Sequence, residues 1–131
     1  EAGRILGEQC HLKESADSVK YYGRKYISTY LANSGNDNKP LALYYMFEKY
    51  NNEVDANKIY DSFVTANESF PGFTKLNDLG DEAFFHSDNN NFCLLIARKG
   101  KIMIRIKVNK LTPKTSTDEL NKVVREHLKR V

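Results

Sequence analysis

The sequence predicts an α+β domain in which an antiparallel sheet of about five strands is flanked by helices. Three observations carry this. Residues 79–108 hold a Leu-Gly-Asp-Glu-Ala run, an Asn-rich turn and two apolar runs closed around Lys99-Gly100, the pattern of a β-meander. Residues 21–32 and 41–50 are rich in aromatic and β-branched types and are parted by a cluster of turn formers. The C-terminal segment repeats apolar residues at helical spacing behind a capping box. With 131 residues the chain is one domain, 1–131, able to bury roughly two-thirds of its unfolded surface.

Residues 1–7 read as the tail of a helix truncated by the start of the sequence, with Ile5 and Leu6 as an apolar edge and Gly7 as C-cap. Residues 8–18 show no clean period and predict a loop or an irregular edge. In 21–32, Tyr22, Arg24, Tyr26, Ser28 and Tyr30 share one parity, and Lys25, Ile27, Thr29 and Leu31 the other. In 41–50, Leu43, Tyr45 and Phe47 oppose Ala42, Tyr44 and Met46, so both faces of the sheet should be covered. Asp55 can N-cap a helix to about Asn67 that gathers Ala56, Ile59, Tyr60, Phe63 and Val64 on one face. Ser69, Pro71 and Gly72 then stop it. Beyond the meander, Ser116-Thr-Asp-Glu119 forms the capping box of a last helix that places Leu120, Val123, Val124, His127 and Leu128 on one stripe.

The hairpin of 92–98 and 101–108 admits two registers. A two-residue turn at Lys99-Gly100 opposes Ala97 to Ile102 and Leu95 to Ile104. A type I turn with Gly100 left-handed in a bulge opposes Ile96, Leu94 and Phe92 to Ile102, Ile104 and Ile106, collecting six large apolar side chains on one face. At about 1.5–3 kcal/mol for each fully buried side chain, the second is expected to win. Cys93, Met103 and Arg105 would then face the other way, under partial cover from the N-terminal segment.

Composition bounds the function. Hydrophobic content of 40% and charged content of 28% are those of a soluble globular chain, and no run approaches the roughly 20 apolar residues of a membrane-spanning helix. The net charge of +3 is too mild to imply nucleic acid. Its distribution is uneven: residues 1–91 carry 9 Lys and Arg against 14 Asp and Glu, and residues 92–131 carry 11 against 3. Such halves are expected to attract one another within the domain. Cys10 and Cys93 permit one disulfide, or stand as two free thiols. The chain opens at Glu1 without an initiator Met or a signal peptide, which predicts a mature product or an excised segment.

No reactive constellation stands out. Cys10, His11, His86 and Cys93 lack the paired two-to-four spacing of structural zinc, so no metal or other cofactor is expected. There is no phosphate-binding Gly-rich loop, nucleophile elbow or His-Glu metalloprotease motif. Asp78, Asp81 and Glu82 cluster in the Leu-Gly-Asp-Glu element, where turn formation competes with acid–base chemistry as their role. Eight Tyr without a Trp is unusual, and seven of them fall in the first two strands. Because a Tyr ring is rigid and ends in a polar tip, these suit recognition. Tyr22, Tyr26, Tyr30 and Tyr45, with Asp81 and the hairpin's Arg105, form the candidate ligand-binding set.

Two stretches carry a resemblance. Glu1-Ala-Gly-Arg-Ile-Leu-Gly7 resembles the end of the helix that opens many small bacterial lipoprotein domains. Leu79-Gly-Asp-Glu-Ala-Phe84, followed by the two apolar runs around Lys99-Gly100, resembles their Leu-Gly-Asp-x-Ala element and hairpin. The order of elements is similar to the PsbP-like fold. The resemblance implies an exported, extracytoplasmic domain of the bacterial envelope, in the periplasm or held to the membrane only through a lipid anchor upstream of Glu1, and it brings no catalytic residues. The expected function is therefore a non-catalytic module that binds a small ligand or an envelope protein. The alternatives are an enzyme using the Tyr-rich face with Asp81 and Glu82, and a structural assembly subunit.

Overall fold

Apolar residues on both parities of the central strands make one sheet with two buried faces, and the helices divide between them. In this computed structural model residues 1–33 and 40–131 are described, so most of the turn cluster of 33–40 lies outside them. Among the described residues the order is α1 (Ala2–Leu6), β1 (Cys10–Lys20), β2 (Gly23–Ala32), β3 (Ala42–Tyr50), α2 (Glu53–Asn67), β4 (Phe73–Leu76), β5 (Glu82–Ser87), β6 (Cys93–Lys99), β7 (Ile102–Val108) and α3 (Thr117–Lys129). The strands form one antiparallel sheet in the order β1-β2-β3-β7-β6-β5-β4. Two meanders thus meet at β3 and β7, and α2 carries the chain from the centre to the far edge.

The sheet has seven strands where about five are expected, and the two extra ones are its edges. β1 occupies most of the segment expected as a loop or an irregular edge, and takes the second form, a bulged edge strand. Nearly all of its residues are exposed, so no burial pattern marks it; it is held by pairing with β2 from Cys10–Ala32 to Lys20–Gly23. A bulge at Leu12/Glu14 and the charges of Lys13, Glu14, Asp17 and Lys20 blunt its outer edge against further pairing. β4 is only four residues long, too short for a period to show.

α1 and α3 pack on one face. Ile5, Leu6, Leu120 and Val124 are buried there against Leu43, Leu95, Ile104 and Ile106. α2 packs on the other, where Ala56 and Tyr60 meet Phe84, Ile96 and Met103. The predicted cap of α3 is present: Ser116 Oγ accepts the Glu119 backbone N–H at 3.1 Å. That of α2 moves three residues upstream. Asn52 is the N-cap, its Oδ1 accepting the Asp55 N–H at 2.8 Å, and Asp55 lies in the first turn.

The hairpin takes neither expected register. Lys99 pairs with Ile102, Ala97 with Ile104, Leu95 with Ile106 and Cys93 with Val108, leaving Gly100-Lys101 as a two-residue turn. Cys93, Leu95 and Ala97 therefore share the α1/α3 face with Ile104 and Ile106, while Leu94, Ile96, Met103 and Arg105 share the α2 face. The expectation fails because it assumed one rich face and one poor one. With helices on both sides, the observed register buries both sets. Gly100 is left-handed as expected (φ 57°), at the first turn position where a hairpin turn of type II′ needs Gly. Its N–H donates to Asp81 Oδ2 at 2.7 Å, and Arg98 Nη1 donates to its carbonyl at 3.0 Å.

Cys10 and Cys93 are free thiols. Cys93 is buried beneath the N-terminal segment's side of the core, and burial pushes its thiol up to about 11. Several ion pairs join the acidic and basic stretches: Arg98 to Glu53, Asp81 and Glu82, Arg125 to Asp78, and His127 to Glu1.

Candidate functional site

Register fixes what the α2 face displays. Across the sheet, Ile27, Met46, Arg105, Ile96 and Phe84 form one row, and Lys25, Glu48, Met103, Arg98 and Glu82 the next. α2 seats Ala56 and Tyr60 over the β5–β7 side of these rows, and its Phe63 reaches toward Arg105. Between the helix and β2–β3 lies a cleft of two lobes that share Lys25, Met46, Phe63 and Arg105. The first, about 480 Å³, runs along β3 and α2 to Tyr21 and Tyr22; the second, about 720 Å³, runs the other way past Thr29, Tyr44 and Lys107. Both are of the size of small-molecule sites.

Arg105 stands where the lobes join. Its guanidinium lies 5.0 Å from the Phe63 ring centroid, and its Nη2 is 3.3 Å from Met46 Sδ. Among the described residues no carboxylate oxygen lies within 4.0 Å of it. Burial lowers its tendency to hold a proton, with the field of Glu48 acting in the opposite sense. A ring face and a thioether are weak partners for a cation, worth far less than a bidentate carboxylate.

Glu48, 5% exposed, lies on the same floor as a charged residue among aromatic ones. Tyr22 Oη donates to its Oε2 at 2.6 Å and Tyr50 Oη to its Oε1 at 3.1 Å, the two rings stacking 5.2 Å apart. Burial first, and then the hydrogen bond to Glu48, pushes the Tyr22 hydroxyl up to about 12; burial and the charge of Glu48 push Tyr50 higher still. Both tyrosines are therefore fixed donors, and the carboxylate is engaged with them.

The candidate set of the sequence divides among three places. Tyr22 and Arg105 line the first lobe. Tyr26, Tyr30 and Tyr45 line a cavity of about 240 Å³ on the opposite face, beneath α1 and α3, and Tyr45 also borders the second lobe of the cleft. Tyr22 parts from its parity mates because the chain turns at Gly23, whose φ of 148° is a conformation close to Gly-only and where an added Cβ would stand 1.9 Å from the Lys49 carbonyl oxygen. In the second cavity Tyr45 Oη is 3.0 Å from His127 Nδ1, and His127 Nε2 is 3.1 Å from Glu1 Oε1. Burial opposes charge on Glu1, but the hydrogen bond and field of His127 hold its carboxyl below the ordinary carboxylate range. Asp81 is in neither cavity. It holds the Gly100 turn, and Glu82 accepts from Arg98 Nε at 2.8 Å, so both acids are tied to the hairpin end.

Sequence reasoning missed Glu48, Lys25 and Phe63. Glu48 carried a legible signal: it continues the parity of Tyr44, Met46 and Tyr50, where a charge is out of place unless satisfied. His86 bonds Asn67 Oδ1 at 2.9 Å on the α2 face, whereas Cys93 faces the other side. Among the described residues no group of three or more His, Cys, Asp or Glu could hold a metal ion, and no helix is long and apolar enough to cross a membrane. Compared with protein-family models, curated proteins and solved structures, the chain matches none.

Proposed function

We propose that this chain is a non-catalytic binding domain that captures an anionic ligand in the cleft between α2 and β2–β3, with Arg105 as its anion-reading group. The observation that carries the reading is a half-buried guanidinium, at the junction of two open lobes, with no carboxylate in contact among the described residues. Desolvating a cation without a counter-ion is costly, and a ligand anion supplies the missing partner. The envelope location, as an exported domain of PsbP-like arrangement in the periplasm or on a lipid anchor, is part of the same proposal. It rests on the resemblance of residues 1–7 and 79–84 and on the order of the elements. The enzyme reading has less support, because Asp81 and Glu82 are tied to Arg98 and Gly100, away from the tyrosines.

The test is a titration with the anionic fluorophore 1-anilinonaphthalene-8-sulfonate. One saturable site is expected, weakened about tenfold or more in Arg105→Met, as for the loss of a charge-assisted hydrogen bond. Tyr30→Phe, on the opposite face, should bind as the parent does. Equal binding by Arg105→Met would overturn the reading, and is informative because the variant is the more apolar protein.

A further inference from the structure

The first lobe also specifies what the anion is attached to. We infer that the ligand is a free single-chain anionic amphiphile, an alkyl carboxylate or alkyl phosphate, with its head on Arg105 and its tail along β3 and α2 toward Tyr21. This rests on the anion-binding reading above and deepens it.

Direction comes from the walls. Past Arg105 toward the β1–β2 turn, the lobe is bounded by Met46, Phe63, Ile59, Tyr22 and Tyr21. Two of these are apolar groups left in water at its mouth, Tyr21 at 95% and Ile59 at 39% exposure, and a tail lying over them would remove that surface from solvent. The other lobe adds Ile27 and Leu94, but sets Glu14, Thr29, Asn67, Lys107 and Asn109 around them, and its more polar lining suits a tail less well. From Met46 to Tyr50 the floor extends about 13 Å at the rise of a strand, room for a medium-length alkyl chain.

Charge gives the polarity. Lys25, at the junction with Arg105, stands opposite Glu48 in the register, and Asp55 and Lys58 on the tail side are three residues apart on α2, so each of these cations has an acid as neighbour. Arg105 alone, among the cations lining this lobe, has neither a register partner nor a helical neighbour of opposite sign. Glu48, already engaged by two tyrosine hydroxyls, repels a second negative charge on the tail side. A single head at one end of a chain satisfies this arrangement.

Calorimetric titration of the whole chain with acetate, octanoate and dodecanoate, kept below their aggregation concentrations, and with dodecyltrimethylammonium tests the inference. Affinity should rise steeply from acetate to dodecanoate, by up to about fourfold for each methylene buried. The cationic amphiphile should bind far more weakly. Arg105→Met should weaken dodecanoate about tenfold or more. Ile59→Asn, at a partly covered position, should flatten the chain-length dependence and lower the melting temperature by no more than a few degrees. If Arg105-dependent fluorophore binding is seen but dodecanoate binds no better than acetate, the amphiphile class is wrong and the anion cleft stands. If dodecanoate binds equally to Arg105→Met, the cleft reading falls and this inference with it. Cosedimentation with anionic phospholipid vesicles without binding of monomeric dodecanoate would replace the free amphiphile by a membrane surface.

Discussion

Arg105 and Glu48 are opposite solutions to one problem, a charge placed on a half-covered sheet face. Glu48 is satisfied internally: two tyrosine hydroxyls donate to it, and burial together with its charge keeps both phenols protonated. Arg105 has, among the described residues, the Phe63 ring and the Met46 thioether against it, and in the proposed reading a ligand anion is its partner. The tyrosines give a spectroscopic handle. In an alkaline titration followed by tyrosinate absorbance, Tyr22 and Tyr45 should ionise near pH 12, roughly two units above an unperturbed phenol at about 10. Glu48→Gln should bring Tyr22 partway down, since burial persists, and leave Tyr45 in place. The sign for stability follows from the raised values. These phenols contribute fully below the unfolded value of about 10, and their contribution is lost as the pH rises toward 12. The melting temperature should therefore fall over that interval, and less so in Glu48→Gln relative to its own neutral-pH value.

At the scale of elements, legibility tracked local chemistry. α3 was readable because its cap and its apolar period sit in one continuous stretch, and Ser116→Ala should cost about 1 kcal/mol in denaturant unfolding. β1 is legible only as a loop or an irregular edge, because what holds it is pairing with β2, a property of two segments that neither shows alone. The β6–β7 register was misread for a related reason. Alternation gives two faces but not which is buried, and here both are, with Asp81 and Arg98 fixing the turn between them. Those two residues lie outside any local hairpin rule. The glycines separate the same way. An Ala side chain at Gly100 meets nothing within 4 Å, so Gly100→Ala should cost about 1 kcal/mol through its backbone alone. At Gly23 the added carbon would collide with the Lys49 carbonyl, so Gly23→Ala should be the more destabilising and should disturb the Tyr22–Glu48 contact. Denaturant melts of the two variants, side by side, check the order.

For the molecule as a whole, a sheet covered on both sides by helices of unequal reach creates the site. α1 and α3 bury four of their large apolar side chains, Ile5, Leu6, Leu120 and Val124, nearly completely. α2 buries fully only Ala56 and Tyr60, and beside it the α2 face stays open along β2 and β3. The charge asymmetry of the sequence was a true signal of attraction within the fold, seen in the pairs made by Arg98 and Arg125. Of the six candidate residues, Tyr22 and Arg105 come together in the cleft while three tyrosines go to the opposite face. Residue type marked them, but only the turn at Gly23 and the hairpin register sort them by face. The central claim is that Arg105 is retained for a ligand and not for the fold. Thermal unfolding of Arg105→Met without ligand is its most direct test. The melting temperature is expected to be unchanged or raised by up to about 5 °C, because a cation with no carboxylate against it among the described residues is replaced by an apolar side chain of similar length. A fall of several degrees would make Arg105 a structural residue and contradict it.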